Sequence, residues 1–169
     1  MKSVCIITGL VSLAAATRDF TKLAYANAIT EDVAENCEFP AYYTVSDFKT
    51  FTPTSSNQTE VTFGFVDSDT NITTTCSLNS TSTNIAEEDR TPEYACDNSL
   101  VNFYWSSNKL TMVEVTCPDS ATQYLVSGSW IPTLSCQNCT DGVECATVGN
   151  ETAHRGTFTS IDPASSGSS

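Results

Sequence analysis

The side chains with the most reactive chemistry stand late in the chain. Cys136-Gln-Asn-Cys139 has the spacing of a dithiol redox motif. That motif works where a helix begins at the first cysteine in a βαβ setting and lowers its pKa. Here the neighbours are Ser, Thr and Asn, with Cys145 close behind, so structural disulfides are the expected use. Zinc would need a fourth ligand beyond Cys136, Cys139 and Cys145, and none is evident. No metal or cofactor is expected. Asp67-Ser-Asp69-Thr-Asn71 imitates the first half of an EF-hand loop, but Ile72 stands in place of the glycine and Leu78 in place of the bidentate Glu. These residues are expected to build a turn between two strands, their side chains holding nearby backbone groups. His154 is the single histidine. A Ser-His-Asp hydrolase would have to use it, yet no G-x-S-x-G sequence precedes it. A surface or strand-end position is expected. The 20 acidic residues leave a glycosidase-type carboxylate pair open, since such a pair needs no local motif. The sequence nominates no pair.

Aromatic residues offer a second kind of chemistry. Tyr42, Tyr43, Phe63, Phe65, Phe103, Tyr104, Trp105 and Trp130 fall in strand-like segments, and most are expected in the core. On a strand, Phe103 and Trp105 face one way and Tyr104 the other. Tyr104 is therefore the candidate contact for stacking on a phenolic or sugar ligand.

The elements that must position these groups are short and β-like. Tyr42–Phe48 is rich in strand-favouring residues, and Glu60–Val66 alternates with Val61, Phe63 and Phe65 on one face. Ile72–Cys76, Leu100–Trp105, Leu110–Thr116, Gln123–Trp130 and Arg155–Ile161 complete the set. Ser106-Ser-Asn-Lys109 is expected to turn one strand into the next. After Asn36 no segment longer than about ten residues shows 3.6-residue periodicity. The expectation is all-β: a compact antiparallel β-barrel or sandwich stabilised by disulfides.

Composition fixes the setting. The 169 residues suffice for one domain, and 7 Lys and Arg against 20 Asp and Glu give a formal net charge of -13. Nucleic acid and anionic membranes are excluded as partners, because both need a basic face. Lys2, the apolar run Val4–Ala16 and the small residues Ala14-Ala15-Ala16 have the order of a secretory signal peptide, too short to span a bilayer. The expected organisation is a signal peptide over 1–16, a leader or surface arm over 17–36, one β domain over 37–161 and a disordered tail over 162–169. The product would be secreted and extracellular. The sequons at Asn57, Asn71, Asn79 and Asn150 are expected glycosylation sites. A fifth, at Asn138, is disfavoured by its neighbours Cys136 and Cys139. Loss of Cys5 with the signal peptide leaves Cys37, Cys76, Cys96, Cys117, Cys136, Cys139 and Cys145. That is an odd number, so one thiol is free, buried or bonded to another chain.

Tyr43-Thr-Val-Ser-Asp-Phe48, Val61-Thr-Phe-Gly-Phe65, Thr75-Cys76-Ser77 and Tyr94-Ala-Cys96 followed by Phe103 resemble the secreted β-barrel family named for the major allergen of Alternaria alternata. The resemblance covers about Cys37 to Val115. It implies a bridge between Cys76 and Cys96, which closes a 20-residue interval and would stabilise the fold by roughly 3 kcal/mol in the chain-entropy model. It also places Cys37 where the family has a cysteine that can link two chains, giving a disulfide-linked homodimer. Cys117 has no counterpart and competes with Cys37 for the role of odd thiol. Cys136 and Cys145 are assigned to disulfide use, with the pairing among Cys136, Cys139 and Cys145 left open. Members of the family are associated with allergenicity, plant defence and small phenolic ligands. The expected function is that of a non-catalytic fungal effector or allergen-like protein recognising host components, with a host protein or small phenolic ligand as partner. The alternatives are a phenolic- or glycan-binding module and a secreted hydrolase with an unrecognised carboxylate pair.

Overall fold

The computed structural model describes residues 37–120 and 122–164. The expected signal peptide and arm lie outside these residues. Among these residues every regular element apart from one 3₁₀ turn, Gly149–Glu151, is a β-strand. In chain order the strands are β1 (Tyr42–Pro53), β2 (Glu60–Asp67), β3 (Ile72–Leu78), β4 (Tyr94–Ala95), β5 (Val101–Ser106), β6 (Lys109–Thr116), β7 (Tyr124–Trp130), β8 (Leu134–Asn138), β9 (Gly142–Thr147), β10 (Ala153–Thr157) and β11 (Ser160–Pro163). They form two antiparallel sheets. Sheet A runs β3-β2-β1-β9-β8, with β10 also on β1; sheet B runs β11-β7-β6-β5-β4.

Each strand read from the sequence is present, with one revision. Arg155–Ile161, expected as a single strand, is two. β10 pairs with β1 in sheet A, and β11 pairs with β7 in sheet B. Between them the Phe158 N–H donates to the Ala41 carbonyl and the Thr159 N–H to the Ser127 carbonyl, so the chain crosses from one sheet to the other. Phe158 is buried at the crossing and packs against Tyr43 at 4.9 Å. β11 also carries order past Ile161, the expected domain end, since Asp162 and Pro163 pair with Leu125 and Tyr124 and the Ala164 N–H donates to Gln123.

The barrel half of the fold expectation gives way to the sandwich. β4 is only two residues long, too short to continue a ladder from β3. The gap is spanned by the Asp97 N–H on the Thr75 carbonyl, the Asn98 N–H on Thr74 Oγ1 and the Cys76–Cys96 bridge. The sheets are thus fastened at this edge without a continuous ladder.

β1 sets the curvature. Tyr43 and Val45 face inward, and so do Phe48 and Thr50, which simple alternation forbids. The register against β2 shifts between Ser46 and Lys49, and Asp47 there has φ 52°. This is a β-bulge: one extra residue reverses the phase and bends the strand. The Asp47 N–H, left out of the ladder, donates to Thr152 at 2.9 Å. The bend lets the first half of β1 pair with β10 and the second half with β9. The β5–β6 hairpin turns through Ser107 and Asn108, both at positive φ. That is the backbone of a two-residue primed turn, whose twist matches the flanking strands.

The core lies between the sheets. Phe48 and Phe63 of sheet A stack on each other at 5.7 Å and meet Phe103, Trp105 and Trp130 of sheet B in edge and tilted contacts of 5.1–5.8 Å. Near the crossing, Gly128 and Gly156 make room for Tyr43. A Cβ on Gly128 would lie 2.8 Å from Tyr43 Cε1, and one on Gly156 would overlap the ring.

Candidate binding groove and cysteine sites

Alternation along β5 sends Val101 and Phe103 into the core and Tyr104 to the outer face of sheet B. There it lines an open groove of about 1050 Å³. The floor is Tyr104, Thr111 and Leu125, from three neighbouring strands. One wall is the 84–93 loop, which has no regular structure of its own. Asn84 Oδ1 holds it closed by accepting the Ala86 and Glu93 N–H groups, both at 3.0 Å, while the Ile85 N–H donates to the Glu93 carbonyl. This is the mechanism by which Asn shapes loops: its side chain substitutes for a backbone acceptor.

The loop meets the floor at Tyr104, whose hydroxyl donates to Glu93 Oε2 at 2.8 Å. Burial, then that bond and the Glu93 charge, push the Tyr104 phenol up to about 12. The hydroxyl therefore stays protonated and ties the ring to the loop. Ile85 and Ile131, 49% and 69% exposed, give the groove two apolar lips. Arg90 and Lys109 supply cationic groups, and Arg90 is paired with Glu87 at 3.0 Å. Such a surface suits a flat, partly apolar ligand carrying hydroxyl or acidic groups. Sequence alternation points to Tyr104, but nothing local marks the wall that Asn84 organises.

The other sequence candidates fall elsewhere. Asp67 Oδ1 accepts the Asp69 N–H at 2.7 Å and the Thr70 N–H at 3.4 Å, so the EF-hand imitation is a side-chain-held turn. His154 lies flat on Trp130, centroids 4.2 Å apart and planes within 5°. Burial holds its pKa below the usual value against the opposing pull of Glu151. Asn57, Asn71 and Asn150 are exposed; Asn79 is half-buried, its amide oxygen accepting the Thr81 N–H and hydroxyl.

Three disulfides join Cys37 to Cys117, Cys76 to Cys96 and Cys136 to Cys145. The assignment of Cys37 to an intermolecular bridge is therefore corrected. The chain arriving at β1 passes beside the end of β6, where Cys117, at φ 58°, turns out of the strand with its Cα 5.2 Å from that of Cys37. Cys136 and Cys145 face one another directly across the β8–β9 ladder. Among the described residues this leaves Cys139, exposed just past β8, as the odd cysteine. Intact mass with and without reductant, after alkylation and peptide mapping, is expected to assign the odd cysteine to Cys139. An alkylated Cys37 would contradict this pairing.

A disulfide-stapled antiparallel β-sandwich with an open groove around Tyr104 on one sheet is the class these features define. Among solved structures, the chain is similar to the crystal structure of the Alternaria alternata allergen Alt a 1, at 16% identity and a TM-score of 0.50, covering 75% of this chain and 91% of that one. A second crystal structure of that allergen matches at 18% identity and a TM-score of 0.49, over 75% of this chain and 97% of that one. At such identity the likeness is one of fold. No family model matches the sequence, and no curated protein does.

Proposed function

We propose that this chain is a secreted fungal protein of the allergen type that works by recognition rather than turnover, engaging a host protein or a small phenolic ligand through the outer face of sheet B. The observation that carries this reading is the groove around Tyr104, where a half-buried phenol is fixed by Glu93 between two exposed isoleucines. Three disulfides suit an oxidising destination, and the fold likeness to a fungal allergen agrees with it. The hydrolase alternative needs two carboxyls that reach a substrate. Asp67 and Glu114, which meet inside the sandwich, are 1% and 0% exposed, while in the groove Glu87 is paired with Arg90 and Glu93 accepts from Tyr104. A covalent homodimer, if formed, would be bridged through Cys139 instead of Cys37.

The test is titration of a fluorescent planar polyphenol into the folded protein. Tyr104→Ala removes the stacking surface and is expected to weaken binding by about fivefold to a hundredfold, with the far-ultraviolet circular dichroism unchanged. Base stacking on aromatics, worth about 1–3 kcal/mol, sets that scale. Equal affinity in both proteins would remove the groove as the site. Turnover in a screen of polysaccharides and esters would instead favour the hydrolase.

A further inference from the structure

We propose that Asp67 and Glu114 share one proton between their facing carboxyl oxygens and so form a pH-sensitive clasp joining the two sheets. Glu114 projects inward from the middle of β6 in sheet B, and Asp67 ends β2 in sheet A. Glu114 Oε1 accepts the Thr70 hydroxyl at 2.9 Å, and Asp67 Oδ1 accepts the two turn amides. The remaining oxygens, Glu114 Oε2 and Asp67 Oδ2, are buried and have no donor. Thr70 brings the two carboxyls together, its hydroxyl donating to Glu114 and its N–H to Asp67. Two ionised carboxylates cannot face one another in a dry interior: each would be an uncompensated buried charge, and neither has a hydrogen to give. One proton on Glu114 supplies the missing donor and removes the repulsion.

The titratable groups facing Glu114 are Asp67 and, across the turn, Asp69. Burial first, then the Asp67 charge, push the Glu114 carboxyl up to about 8, against the opposing Thr70 hydrogen bond. The clasp reaches further than the pair. Asp69, positioned by the turn that Asp67 caps, accepts the Ala41 N–H at 3.3 Å where the chain enters β1.

The sign of the effect follows from proton counting. Between the ordinary Glu pKa of about 4.3 and the raised value, the folded protein holds a proton that the unfolded chain has released. Stability from this pair is therefore full in acid and declines as pH rises through that window. The experiment is urea unfolding of the disulfide-intact protein from pH 4.5 to 9, comparing the wild type with Glu114→Gln. The Gln amide can donate to Asp67 and does not titrate. The wild-type unfolding constant is expected to rise relative to the variant's, approaching about tenfold per pH unit inside the window. Parallel pH profiles would overturn the proposal. Carboxyl-carbon NMR of the wild type decides independently of how the variant folds: a Glu114 midpoint near neutrality or above supports the clasp, and one in the ordinary carboxylate range overturns it.

Discussion

Phe48→Ala is expected to destabilise the protein by about 3–5 kcal/mol, the usual cost of emptying a buried phenylalanine site. Phe48 is 1% exposed and lies in the core between the sheets. Its ring centroid is 5.7 Å from Phe63, 5.1 Å from Trp105 and 5.8 Å from Trp130. Truncation leaves a void walled by three large rings. Relaxation is restricted, because the bulge at Asp47 fixes the phase of β1 and the backbone cannot slip by one residue to bring another side chain in. The chain has 2 tryptophans and both touch Phe48, so fluorescence-detected urea unfolding reads the site directly. The midpoint should fall with little change in slope, and native emission should shift as both indoles gain freedom. A loss below about 1 kcal/mol would mean that the core closes over the cavity, and that the three-ring contact contributes little.

The same bulge shows why the fold was legible only in part. β2 could be read outright, because one face is core and the other solvated, and Val61, Phe63 and Phe65 alternate with polar or small neighbours. In β1 the alternation holds to Val45, then the extra residue at Asp47 moves the inward set from odd to even positions. The reading of Tyr42–Phe48, made from strand-favouring residue types and not from alternation, stops five residues before the strand does at Pro53. β8 and β9 gave almost no signal. β8 is exposed from Ser135 to Asn138, and a bridge between directly opposed cysteines, not an apolar face, fastens it to β9. The split of β10 from β11 was hidden for the opposite reason: both segments have strand character, and only the backbone bonds of Phe158 and Thr159 show that they serve different sheets. At the sites, the outward turn of Tyr104 followed from strand parity alone. The approach of Asp67 to Glu114, from strands in opposite sheets, is a product of sandwich packing and has no local motif.

Replacing Cys37 and Cys117 together by serine is expected to destabilise the fold by about 4–5 kcal/mol, and replacing Cys76 and Cys96 by about 3 kcal/mol, on the chain-entropy account. The order follows from the loops closed, with sequence separations of 80 and 20. Native packing alone would predict the reverse, since Cys76 is fully buried in the core while Cys117 lies at its margin, 9% exposed. Urea unfolding of the two double variants separates the accounts. If constraint of the unfolded chain dominates, the Cys37–Cys117 variant is the less stable, and its denaturant slope increases more because a longer segment is released. If the Cys76–Cys96 variant is the weaker, the bridge at the β3–β4 edge acts mainly through the native state, holding together sheets whose ladder is interrupted there. Local readouts sharpen the contrast. The first bridge anchors the segment leading to β1, where Phe39 packs edge-on against Tyr124 at 5.4 Å and the Ala41 N–H donates to Asp69. Its loss should speed amide exchange at Ala41 while leaving Asp97 protected. Loss of the second should expose the Asp97 N–H, which donates to Thr75 across the seam, and leave Ala41 as it was.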